Sequence, residues 1–110
     1  MGTGGLENLS IAGLGIVIAE NDSLDYILLT DLETTSHLYI GDNPKLKYIT
    51  SMNHLRNLGK MAIYRNTSLS NYCNLRSFYT SGITIESHRL FGNKYNPSIS
   101  QLASTSYCSN

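Results

Sequence analysis

One phrase occurs three times in this chain. It reads IVIAENDSLDYI from Ile16 to Ile27, LYIGDNPKLKYI from Leu38 to Ile49, and MAIYRNTSLSNY from Met61 to Tyr72. Aligned on their asparagines, Asn21, Asn43 and Asn66, the copies stand 22 and 23 residues apart. The leucine that follows keeps step at Leu24, Leu46 and Leu69, and so do the apolar pairs before, Ile16/Ile18, Leu38/Ile40 and Met61/Ile63. Self-similarity at such a period is the signature of stacked repeats, each too small to bury its apolar face alone.

The spacing within each copy predicts its shape. Apolar-x-apolar is period two, so both side chains point to one face of a short strand. The residues between them, Val17, Tyr39 and Ala62, point outward. A turn follows at the asparagine, a favoured turn residue whose amide both donates and accepts. In-register stacking of Asn21, Asn43 and Asn66 would satisfy backbone groups buried where the coil bends. The next leucine and the closing Ile27, Ile49 or Tyr72 point inward again. The expected fold is therefore a mostly β solenoid of about three coils in one domain. The segments Leu28 to His37 and Thr50 to Lys60 return the chain between strands. In them Leu29 and Leu32 match Met52 and Leu55 at a spacing of three, which suggests a helical or 3₁₀ turn on the opposite side. Leu6 to Gly15 reads as the same segment ahead of the first strand.

After Tyr72 the phrase breaks. Only an echo remains: Leu90 and Asn93 keep the three-residue step of Ile40 and Asn43, and Ile83 to Ile85 can supply a strand. Terminal repeats are atypical because they shield the last apolar face. The organisation read from the chain is thus a disordered tail at residues 1–5, which lacks the basic start and apolar core of a signal peptide, three repeats at 6–72 and a C-terminal cap at 73–110, within what is expected to be a longer protein. The cap holds both cysteines, Cys73 and Cys108. In an oxidising compartment they would pair and staple the cap to the last regular coil; the alternative is two buried free thiols of a cytosolic protein.

Charge is balanced, with 8 Lys+Arg against 8 Asp+Glu, which argues against the basic face that nucleic acid or an anionic membrane needs. No apolar run reaches membrane-spanning length. No nucleophile elbow or phosphate loop occurs, and His37, His54 and His88 share no metal-ligand spacing. No catalytic residue, metal or cofactor is expected.

The three asparagine-centred repeats, followed by SLSNYCNL (Ser68 to Leu75) and FGNKYNPS (Phe91 to Ser98), resemble a bacterial leucine-rich-repeat family. It is abundant in secreted and surface proteins of Bacteroidetes, chiefly flavobacteria, and its repeats look like those of receptor L domains. The cap motif of that family falls here on Leu69, Tyr72, Cys73, Gly92, Asn93, Tyr95, Asn96, Pro97 and Cys108. The Gly-Gly usual before each strand is reduced to Gly13-Leu14-Gly15, Ser36-His37 and Gly59-Lys60, and fewer regular coils are present than relatives often carry. The resemblance implies a secreted or cell-surface module that binds protein or carbohydrate without catalysis. It carries no catalytic residues to transfer.

The outward strand positions are the candidate binding surface: Tyr39, flanked by Val17 and Ala62 on neighbouring coils and extended by Tyr64 and Arg65. Tyr and Arg are enriched at interfaces, although a lone exposed tyrosine on a strand is also common. The rival role is a spacer or stalk that presents another domain.

Overall fold

The structure, a computed structural model, describes residues 11–12, 15–27, 33–49, 55–81, 85–104 and 106–109. The expected tail at residues 1–5, the spacing of Leu29, Leu32 and Met52, His54 and Ile83 lie outside the described residues. In chain order the elements are β1 (Ile11–Ala12), β2 (Ile16–Ala19), β3 (Tyr26–Ile27), β4 (Thr34–Gly41), β5 (Tyr48–Ile49) and β6 (Asn57–Tyr64), then a 3₁₀ turn (Cys73–Leu75), α1 (Arg76–Thr80), β7 (Ile85–Phe91) and α2 (Ile99–Leu102). The fold is mostly β, and the described helices all follow Tyr72.

The larger sheet is parallel throughout. β1 and β2 both pair with β4, β4 pairs with β6, and β6 pairs with β7. Its register is that of the phrase: Ile16 lies beside Leu38, Leu38 beside Met61, and Met61 beside His88. The smaller parallel sheet pairs Tyr26 with Tyr48 and Ile27 with Ile49. A bridge from Tyr48 to Asn71, and an antiparallel one from Asn71 to Ser109, carry it on to the chain's last described residues. Ile18, Ile27, Leu38, Ile40, Leu46, Ile49, Met61, Ile63, Leu69 and Tyr72 fill the space between the sheets and are almost wholly buried. Burial at this scale is the main favourable term in folding.

At the bend after each long strand stands a left-handed residue and then an asparagine. Glu20, Asp42, Arg65 and Gly92 have φ of 58°, 55°, 51° and 70°. The backbone N–H groups of Glu20, Asp42 and Arg65 donate to Gly41, Tyr64 and Phe91 of the next coil. The asparagines then form a chain. Asn43 Nδ2 donates to the Ile18 carbonyl (3.1 Å) and to Asn66 Oδ1 (3.1 Å). Asn43 Oδ1 accepts from the backbone N–H of Asn21 (3.1 Å) and from its Nδ2 (3.0 Å). Asn66 repeats the pattern on Ile40 and Asn93, and Asn93 repeats it on Ile63 and Asn96. Asn43 and Asn66 are fully buried, whereas Asn21, at the first bend, is exposed and turns its amide to its own Ala19 carbonyl. Asn96 closes the series by donating back to the Asn93 carbonyl (3.0 Å).

One expectation is corrected: the strands reach back into the segments expected to return the chain, since Thr34 to His37 and Asn57 to Lys60 are strand, continuous with the apolar pairs. The inward alternation slips by one residue there, since Thr35 and Leu58 are buried and the next inward residues are Leu38 and Met61. Thr35 tolerates burial because its hydroxyl donates to the His37 carbonyl (2.8 Å). His37 therefore lies on a strand, half-buried and stacked on Tyr39 with ring centroids 4.6 Å apart, rather than in the return between strands.

The step from Asn66 to Asn93 is 27 residues, longer than the earlier two because this coil also holds the 3₁₀ turn and α1. Leu75, Phe78 and Leu102 from the helical segments are buried against the core. Ser98 caps α2 in a reciprocal capping box with Gln101. Cys73 and Cys108 are disulfide-bonded, with Cα atoms 4.9 Å apart. The backbone N–H of Tyr72 donates to the Cys108 carbonyl (2.8 Å), so the bond fixes a strand contact at the edge of the smaller sheet. A crosslink over 35 residues stabilises by roughly 3–4 kcal/mol in the chain-entropy model.

Candidate functional site

The outer face of the larger sheet is a set of cross-strand rows set by the register. One row runs Val17, Tyr39, Ala62, Arg89; the next runs Ala19, Gly41, Tyr64, Phe91. The first row alternates small and large side chains, and the second sets Ala19 and Gly41 beside Tyr64 and Phe91, which makes relief on an otherwise flat sheet. Ala62 sits low between Tyr39 and Arg89. Gly41 has no side chain, so the Tyr64 ring lies over it, where any Cβ would run into the ring. Phe91 stacks on Tyr64 (centroids 5.5 Å apart, planes 14° apart), and the Arg89 guanidinium sits 5.0 Å over the Phe91 ring.

These side chains enclose a shallow groove of about 320 Å³, floored by Ala62 and walled by Tyr39, Tyr64, Arg89 and Phe91, with Lys60 at one end. Tyr39, Ala62 and Tyr64 are thus brought together as the candidate surface required. Val17 is 61% exposed and continues the row on the far side of Tyr39, outside the groove. Arg65 stands apart: it follows the end of β6, in the bend. Its Nε and an Nη donate to both carboxylate oxygens of Asp42 at 2.7 and 2.9 Å, and its guanidinium lies 5.0 Å over the Tyr64 ring. The hydrogen bonds from Arg65 hold the exposed Asp42 carboxyl below the usual range. Arg65 is therefore a brace at the rim.

Arg89 and Phe91 escaped sequence reading because β7 carries no copy of the phrase. The signal that could have found them was the Leu90–Asn93 step, which places Arg89 in the outward position between His88 and Leu90. Behind the sheet, His88 faces inward beside Met61, hydrogen-bonded to the Tyr79 hydroxyl at 2.8 Å. Burial pushes the Tyr79 hydroxyl's pKa up and the His88 imidazole's down, so both are held neutral.

The face is chemically of one kind. Both edges of β4 and of β6 are engaged in parallel pairing, so over these two strands the face presents ring surfaces, hydroxyls and cations rather than free backbone groups. Among the described residues no helix is long and apolar enough to cross a membrane. The disulfide suggests an oxidising environment. No family model matches the sequence, and neither a curated protein nor a solved structure is significantly similar to it.

Proposed function

We propose that the chain is a non-enzymatic recognition module, secreted or held at the cell surface, built as a short solenoid of leucine-rich-repeat or receptor-L type. It binds protein or glycan through the groove on its strand face. The observation that carries this reading is the juxtaposition of Tyr39, Tyr64, Phe91 and Arg89 around the low Ala62 on one rigid sheet. Aromatic and arginine side chains in a concave patch are the residues that dominate binding energy at interfaces. The stacking of Tyr64 on Phe91 and over Gly41 orders the groove before a ligand arrives, and preorganisation of that kind favours affinity. The disulfide and the resemblance to secreted flavobacterial proteins support an extracellular setting.

The test is a glycan array and a panel of purified secreted proteins, probed with wild-type chain and with Ala62→Arg. The arginine fills the groove from a half-exposed position, so the melting temperature should stay within about 3 °C. Loss of the hits is expected. Hits indifferent to Ala62→Arg would contradict the groove, and a blank screen would favour the spacer role.

A further inference from the structure

We propose that the groove takes a sugar acid: a hexuronate ring over Ala62, its carboxylate held by Arg89. This deepens the reading of the strand face as a binding face and rests on it. The groove's charges are not equivalent. Arg65 is neutralised by Asp42, and Lys60 lies 3.9 Å from Glu86. Arg89 is exposed, oriented by the Phe91 ring, and pairs with no carboxylate among the described residues. A guanidinium fixed by stacking, with its N–H edge open, matches a planar carboxylate in two parallel hydrogen bonds. The floor sets the size. Tyr39 and Arg89 lie two strands apart with only Ala62 between them, a span of about 10 Å at ordinary strand spacing. That admits one six-membered ring and its substituents. The walls set the rest of the chemistry: Tyr39 and Tyr64 line the groove with ring surface suited to the C–H face of a sugar, and with Ser87 they bring hydroxyls to the lining.

An acidic peptide would satisfy Arg89 but fits the surface less well. Peptides gain affinity on sheets by adding a strand at a free edge. The floor of this groove is on β6, which like β4 is already paired on both sides. The nearest edge left unpaired among the described residues is that of β7, beyond Arg89, so a peptide lying on the floor pairs with no strand there.

The experiment is an amide NMR titration of the oxidised full chain. The acidic probes are trigalacturonate, trimannuronate and a hyaluronan tetrasaccharide. The comparison probes are maltotriose, methyl-esterified trigalacturonate and hexaglutamate. At least one uronate should shift the Ala62 and Ser87 amides. Arg89→Gln should weaken it by about tenfold or more, the usual scale for losing a charged hydrogen-bond partner. Ala62→Leu should remove the response, and Arg76→Gln, on α1 in the described cap, should change nothing. Uronates that leave Ala62 and Ser87 unshifted, or bind undiminished to Arg89→Gln, would overturn the proposal. So would hexaglutamate shifting the same amides more strongly. Maltotriose or the ester binding as tightly as the acid would overturn the acidic class while leaving the strand face as the binding face. The face itself fails only if neither these probes nor the screened partners respond to Ala62 substitution.

Discussion

Glu20, Asp42 and Arg65 each precede a ladder asparagine and each holds a left-handed backbone, while the equivalent residue on the last coil is Gly92. For a residue with a side chain that conformation costs about 1–2 kcal/mol, partly offset by the smaller backbone entropy it loses on folding. Glu20 is exposed, so Glu20→Gly is expected to stabilise by about 0.5–1 kcal/mol. Gly92→Ala runs the other way and adds a Cβ 3.1 Å from Arg65 Cγ; a loss of about 1–2 kcal/mol should follow. Urea midpoints of both variants check the pair. His88 gives a pH dependence. Burial lowers its pKa from 6.5, so the unfolded chain takes up the proton first. Its contribution is complete above about pH 6.5 and is lost as pH falls towards the folded value. Stability should drop between pH 7.5 and 5.5, and His88→Gln should flatten that slope in paired urea melts. Neither His88 nor Arg89 was legible as a site residue, because single polar residues on a strand declare a face only once the register is known.

The apolar pairs Leu38/Ile40 and Met61/Ile63 were legible because period two is a local property. The bends before them were not, because there the alternation slips and a polar residue, Thr35, goes inside. The ends of the segments expected to return the chain, Thr34 to His37 and Asn57 to Lys60, are extended instead, and β4 and β6 approach closely at Ser36 and Gly59. Gly59 permits that approach, since a Cβ there would stand 2.6 Å from the Ser36 carbonyl oxygen of the neighbouring strand. Backbone cannot yield as a side-chain tip can. Gly59→Ala should therefore cost about 1–3 kcal/mol, the range for overpacking, in thermal or urea melts. β7 was hidden for a different reason: helical residues inserted before it lengthen the step and leave Leu90 and Asn93 as the visible trace.

Across the whole molecule, one hydrogen-bonded line runs from Asn21 through Asn43, Asn66 and Asn93 to Asn96. It locks the coils in the register that sets Tyr39, Ala62 and Arg89 side by side, so the groove depends on the ladder. Three of its members were legible from their period; Asn96 was not, since it closes the line from outside the repeat. The ladder's internal and terminal members should differ in worth. Asn43→Ala leaves the Ile18 carbonyl without its partner inside the fold, at about 1–3 kcal/mol, and also removes the acceptor of the Asn21 N–H and the side-chain bond to Asn66. Asn21 is exposed at the first bend, where water can replace its partners, and Asn74 is an exposed asparagine outside the ladder. Urea denaturation of Asn43→Ala, Asn21→Ala and Asn74→Ala, with the disulfide intact, tests the account most directly. It predicts a loss of about 2 kcal/mol or more for Asn43, a smaller loss for Asn21 and under about 0.5 kcal/mol for Asn74. Three equal, small losses would contradict it.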